Sequence, residues 1–167
     1  MKKTILIVLV SAISIVSCTL PLSNPQSKWE YEKSAIDLSI QSDPRLNHFQ
    51  EKAHSLMVCV FHLRDLNGFN QLLDEKGGLS KLLECGRFDP GVTYAKRIVV
   101  QPNQTTTETM DRTEGAKYVG IVAGYYDLQK DNAARAFQIP LSFFQNPKKL
   151  SLNLQLGSQG IKEIKEK

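Results

Sequence analysis

The sequence predicts an all-β domain, an antiparallel β-sandwich with a short helical insert, on three observations. Leu150, Leu152, Leu154 and Leu156 alternate strictly with polar residues, the period of a strand with one buried face. Leu56 to Leu63 is instead a dense apolar run of strand length, which suits a central strand covered on both faces. Turn signals recur about every ten residues, the spacing of a sandwich of about seven short strands.

The elements follow in chain order. Lys2 and Lys3 precede an uncharged apolar run from Thr4 to Val16, the shape of a signal peptide over residues 1–17, too short to span a bilayer with ease. The run ends in Ser17-Cys18, a small residue before a cysteine, as in a bacterial lipobox whose cysteine is acylated after cleavage. The alternative is an ordinary signal peptide in which Cys18 is incidental. Thr19, where Asp would retain a Gram-negative lipoprotein at the inner membrane, argues by resemblance for the outer membrane. Residues 18–27, with Pro21 and Pro25, read as an extended tether.

The sandwich domain is assigned to residues 28–160. A first strand lies within residues 29–41, where Ile36, Leu38 and Ile40 alternate with polar residues, and Asp43-Pro44 ends it. Residues 42–54 form an exposed loop, and the central strand follows it. Asn67 is placed as the cap of a short helix bearing Phe69, Leu72 and Leu73; Gly77-Gly78 breaks it, and Leu79, Leu82 and Leu83 form another helical turn. Further strands are expected at 92–100, 105–110, 118–126, 136–141 and 150–156. Residues 161–167 are expected to be a charged, fraying end.

Composition excludes several classes. With 41% hydrophobic and 23% charged residues the chain can build a core and is no disordered tail. The formal charge of +4 falls to +2 once Lys2 and Lys3 are set aside, too little for nucleic-acid binding. The chain contains no Gly-x-Ser-x-Gly, no phosphate-binding glycine loop and no His-Glu-x-x-His, so an enzyme is not expected. His48 and His54 with Asp43 fit no zinc spacing and read as solvated loop residues. Asp127 to Asn132 starts like a calcium loop but has Asn132 at the glycine position and Gln138 at the closing glutamate, so neither metal nor cofactor is expected. His62 reads as a satisfied core or edge histidine.

Two features remain. With Cys18 acylated, Cys59 and Cys85 form an even pair in an oxidising compartment; a bridge is worth roughly 3 to 4 kcal/mol on the chain-entropy model, and two buried thiols are the alternative. The 42–54 loop carries Leu46 and Phe49 amid Arg45, His48 and Lys52, an apolar pair of anchors within a polar rim. The alternative is a loop whose two apolar residues fold back onto the sandwich.

The order lipobox, tether, strand, loop, then Ser55-Leu-Met-Val-Cys-Val-Phe-His-Leu-Arg-Asp65, Phe69, Leu72-Leu73 and Leu82-Leu83 resembles the TssJ lipoproteins of type VI secretion systems. So do Tyr94-Ala-Lys-Arg-Ile-Val-Val-Gln-Pro102 and Ala116-Lys-Tyr118-Val-Gly120-Ile-Val-Ala123-Gly-Tyr-Tyr-Asp127. The resemblance covers residues 36–141. It departs at Ala134-Arg135-Ala136-Phe137, where that family commonly carries a Trp-Arg pair. It implies a transthyretin-like sandwich held at the outer membrane and facing the periplasm. It also implies a structural role without catalysis, binding the periplasmic C-terminal domain of TssM through the loop between the first two strands. The competing function is a small-ligand-binding or carrier lipoprotein, which a deep pocket with converging polar groups would favour.

Overall fold

Leu150, Leu152, Leu154 and Leu156 all point into one core, and the polar residues between them face the other side of the strand. The computed structural model describes residues 28–166; Cys18, the signal peptide and the tether lie outside them. Eight strands form two sheets: β1 (Glu32–Ser42), β2 (Leu56–Leu63), β3 (Val92–Val100), β4 (Thr105–Arg112), β5 (Tyr118–Ala123), β6 (Ala134–Gln138), β7 (Leu150–Leu156) and β8 (Ile161–Glu166). One sheet has the order β4-β1-β7-β8, the other β3-β2-β5-β6.

Two kinds of strand pattern follow from what covers each face. Between the sheets lie Ile36, Leu38 and Ile40 of β1 and the four leucines of β7, facing Leu56, Val58 and Val60 of β2 with Val119 and Ile121 of β5. The far side of the first sheet carries Ser39, Gln41, Thr107, Asn153 and Gln155 and stays polar, which gives β1 and β7 their alternation. The far side of the second sheet is covered by α1 (Asn67–Asp74) and α2 (Gly78–Leu82). Phe69, Leu72 and Leu82 close a second core over Cys59, Phe61, Leu63 and Val122. Hence β2 is apolar on both faces except at His62. Gly120 on β5 allows the close approach, because a Cβ there would stand 2.9 Å from the Phe69 ring. Cys59 is joined by a disulfide to Cys85, just past α2, with α-carbons 5.2 Å apart, so the bridge fastens the insert to the sheet beneath it.

The structure departs from the sequence reading at several points. The sandwich is not wholly antiparallel: β1 runs parallel to β7, Ile36 opposite Leu150 and Ser42 opposite Leu156. Residues 161–166, expected to fray, form β8 on the edge of the first sheet, where Ile161 and Ile164 pack inward and the charged residues guard the edge. Asn67 is not the helix cap. Leu66 occupies that position, and the Asn67 amide donates to the Asp65 carboxylate at 3.0 Å. The strand expected at 136–141 begins and ends earlier, as β6, and a short α3 (Lys130–Ala133) precedes it. The break at Gly77-Gly78 stands: Gly77 has φ +83°, and a Cβ on Gly78 would lie 1.8 Å from the Leu72 carbonyl oxygen.

His62 on β2 is fully buried, but only half satisfied. Its Nδ1 lies 3.4 Å from the Thr113 hydroxyl and its ring leans on Tyr94, while Nε2 has no partner among the described residues. Burial without a countercharge pushes its pKa down to about 4.

Candidate docking surface

The two sheets leave the β1–β2 loop at one end of the sandwich, beside the β5–α3 segment and the β7–β8 turn. Strands β1 and β7 end there together. The loop is tied down along its length. Asp43 donates its amide to Leu156 O and accepts at its carbonyl from Leu46; His48 donates to Ser158 O, and His54 to Leu46 O, all at 2.8–2.9 Å. The Asp43 carboxylate takes the Lys162 ammonium and the Arg45 amide, which hold its pKa below the usual carboxylate range.

Leu46 is not an anchor. It is fully buried in the core between the sheets, and this corrects the expectation that it would face a partner. The loop needs an apolar plug where the open end of the sandwich would otherwise admit water, and Leu46 supplies it. Its neighbour Asn47, also buried, adopts φ +47° and uses its side chain as a clip: Nδ2 donates to Ser55 O at 3.3 Å, and Oδ1 accepts the Tyr126 amide at 2.9 Å.

Phe49 points outward and is 42% exposed. It opens a tight reversal in which Phe49 and Lys52 exchange backbone hydrogen bonds at 2.9 and 3.0 Å. Gln50 and Glu51, at its tip, have φ +46° and +63°. That is the pattern of a type I′ turn, which Asn-Gly adopts without strain and these two residues do not. The Phe49 ring stacks on Tyr126, centroids 4.3 Å apart and planes 17° apart, and His54 meets the other ring edge-on at 5.2 Å. His54 also places Nε2 3.2 Å from the Phe49 carbonyl. Tyr126 is 55% exposed, so the pair forms an aromatic ridge with its outer faces bare.

Arg45 and Lys52 are exposed and His48 half-buried around this ridge. An open cleft of about 450 Å3 lies along one side, lined by Asn47, His48, Phe49, Tyr125, Tyr126, Asp127, Ser158 and Gln159. A second depression, of about 370 Å3, lies on the other side between Met57, Val99 and Gly124. Tyr125 faces inward. Burial raises its hydroxyl pKa, the neighbouring Gly157 amide opposing the rise in part, and by distance and angle the hydroxyl has no hydrogen-bond partner among the described residues.

Phe49 and the basic residues around it lie together at this end of the sandwich, as the sequence reading groups them; Tyr126 and Asn47, which complete the ridge, are not among the residues it singles out. The sequence reading puts Tyr126 at the end of a strand over 118–126, whereas β5 stops at Ala123; the signal lies in Gly124-Tyr125-Tyr126, two amphipathic aromatics that turn to opposite sides. Asn47 carries no signal of its own, since its role depends on a segment far along the chain.

These features define a helix-backed β-sandwich that carries a rigid, aromatic-tipped loop at one end. The chain belongs to the family described as type VI secretion lipoprotein (VasD, EvfM, TssJ, VC_A0113), whose model matches residues 34–159. Among solved structures it is similar to the T6SS lipoprotein TssJ1 from Pseudomonas aeruginosa, with 17% identity and TM-score 0.63 over 81% of this chain and 97% of the other. Serratia marcescens Lip, a membrane-bound component of the type VI secretion system, gives 17% identity and TM-score 0.60 over 79% and 96%. A chain in the structure described as the T6SS protein TssM C-terminal domain (869–1107) from EAEC gives 13% and 0.60 over 78% and 96%. At these identities the likenesses bear on fold. No curated protein matches the sequence. Among the described residues no helix is long and apolar enough to cross a membrane.

Proposed function

We propose that this chain is a structural, non-catalytic outer-membrane lipoprotein of a type VI secretion membrane complex. Acyl chains on Cys18 hold it to the membrane, and it docks the periplasmic C-terminal domain of TssM. The Phe49–Tyr126 ridge carries the docking half of this reading. Interfaces concentrate their energy in a few aromatic anchors that are held in place before binding, inside a polar rim. The ridge has that composition, and its strained turn and buried Asn47 clip fix its direction in advance. Family membership supports the partner, and the Ser17-Cys18 motif supports the anchor. Several acyl chains on that one residue matter because a single chain gives only marginal membrane binding.

Calorimetric titration of the purified protein with the periplasmic C-terminal domain of a TssM from the same organism tests the reading. Saturable one-to-one binding that is weakened by substitution at the ridge supports it. Absence of binding at accessible concentrations, or binding indifferent to the ridge, rejects it.

A further inference from the structure

Phe143 and Phe144 are the two most exposed large apolar side chains among the described residues, 92% and 75%, and they sit side by side, rings edge-to-face at 5.5 Å. They occupy the tip of a short hairpin between β6 and β7. Lys148 donates to Pro140 O and Ser142 to Asn146 O, each at 2.8 Å, and Gln145 turns the tip with φ +61°. The tip is thus ordered by its own backbone hydrogen bonds, while its two rings meet edge-to-face and neither belongs to a core cluster of the described residues.

Topology decides which way this hairpin faces. Gln138 ends β6 opposite Tyr118, and Leu150 starts β7 opposite Ile36, so the hairpin leaves the sandwich at the end where β1 begins. The tethered chain enters at that same end, where Trp29 O accepts the Gly115 amide. The Phe49–Tyr126 ridge lies at the opposite end. From Cys18 to Lys28 an extended chain reaches at most roughly 35 Å, so an acyl anchor keeps the hairpin end within reach of the bilayer. Lys148 and Lys149 follow the tip and are exposed, and Lys149 pairs with Asp37 at 2.7 Å.

We infer that the Phe143-Phe144 hairpin is a second membrane contact, which inserts its two rings among lipid acyl chains while Lys148 and Lys149 stay at the headgroups. The inference rests on the proposed anchoring at Cys18. Two rings at a projecting tip bury little area against a protein by themselves, whereas a bilayer needs no matching shape. Apolar tips backed by lysines suit the interface between acyl chains and anionic headgroups. Together with the tether, the contact makes a two-point mount, which stands the sandwich on the membrane with the aromatic ridge facing away.

The test uses the full chain, recovered from membranes and reconstituted in vesicles of phosphatidylethanolamine and phosphatidylglycerol in equal parts, with or without brominated acyl chains. Phe144→Trp and Tyr126→Trp each add one fluorophore to the native Trp29. The added emission of Phe144→Trp should be largely lost on brominated lipid, and that of Tyr126→Trp should not. Unquenched Phe144→Trp in protein that still carries fatty acid and stays on the vesicles overturns the inference alone. So does protection of that tryptophan from iodide with no lipid quenching and a concentration-dependent dimer, which assigns the tip to a second copy of the chain. Absence of fatty acid on Cys18 overturns the anchoring and the inference with it.

Discussion

Phe49 and Tyr126 lie far apart in the chain and stack face to face at one end of the sandwich, 4.3 Å between centroids. The contact exists because Asn47, three residues before the reversal tip, holds the Tyr126 backbone from within the loop. A local clip therefore fixes a long-range pair, the pair proposed above as the docking ridge.

Phe49→Ala should weaken binding to the TssM domain by about 2 kcal/mol, about thirty-fold, with Lys52→Ala near neutral. Tyr126→Ala should resemble Phe49→Ala, since each ring holds the other in place. Titration calorimetry reads the affinities. A melting temperature that falls sharply in Phe49→Ala, with affinity unchanged, would assign the ring to the core.

Leu46→Ala should behave in the opposite way. Truncating a fully buried leucine costs about 2–5 kcal/mol, and for a chain of this size each kcal/mol lowers Tm by about 2–4 °C. Replacing Gln50-Glu51 by Asn-Gly, which suits the two positive φ angles, should instead raise stability by about 1 kcal/mol. Thermal melts of both variants decide; a harmless Leu46→Ala contradicts the plug.

Cys59 and Cys85 should give no free thiol in the unfolded, unreduced protein. Reduction should lower stability by roughly 3 kcal/mol on the chain-entropy model, loosening the helical insert first. Thiol titration in denaturant, before and after reductant, measures it. Two reactive thiols before reduction would leave the pair merely buried.

Cys18→Ser should abolish fatty-acid labelling and membrane recovery without altering the folded sandwich, because the thiol is the atom to which lipid is attached. Radiolabelled palmitate and fractionation check this. A Ser variant that still takes up label contradicts the lipobox.

His62 should make the fold acid-sensitive above the carboxylate range. Its folded pKa of about 4 lies below the unfolded 6.5, so the unfolded chain binds more protons between those values. Stability is then full above about pH 6.5 and falls toward pH 4, by up to about 3 kcal/mol, with no further loss from this group below. Asp43, and Asp111 with its carboxylate lowered by hydrogen bonds from the Tyr31 hydroxyl and the Ser34 amide, act in the same direction but below their ordinary 3.8, outside this window. Denaturant melts against pH should show the slope in the parent protein and lose it in His62→Gln.

Much of the sandwich is legible in the sequence because burial imposes its own period. Leu56–Leu63, Val92–Val100 and Leu150–Leu156 are bounded as read, since each is closed by a turn and filled by residues that alternate or do not according to what covers them. Pairing partners are not legible. Nothing in the leucines of β7 states that they run parallel to β1, and the lysines and glutamates of β8 mask two isoleucines that make it an edge strand. The same limit divides the candidate site. Leu46 and Phe49 look alike as apolar residues in a polar loop, and only the geometry of the sandwich mouth sends one inward and leaves the other outside.

The parallel pairing of β1 with β7 sets the order in which the molecule can be completed. In a growing or emerging chain β4 can cover one side of β1, but the other side waits for residues 150–156. During that interval Ile36, Leu38 and Ile40 sit on a strand with an open edge, a template for any neighbouring chain. Loss of the last two strands should therefore yield aggregates in place of a smaller sandwich, because the C-terminal hairpin is what closes the open side of β1.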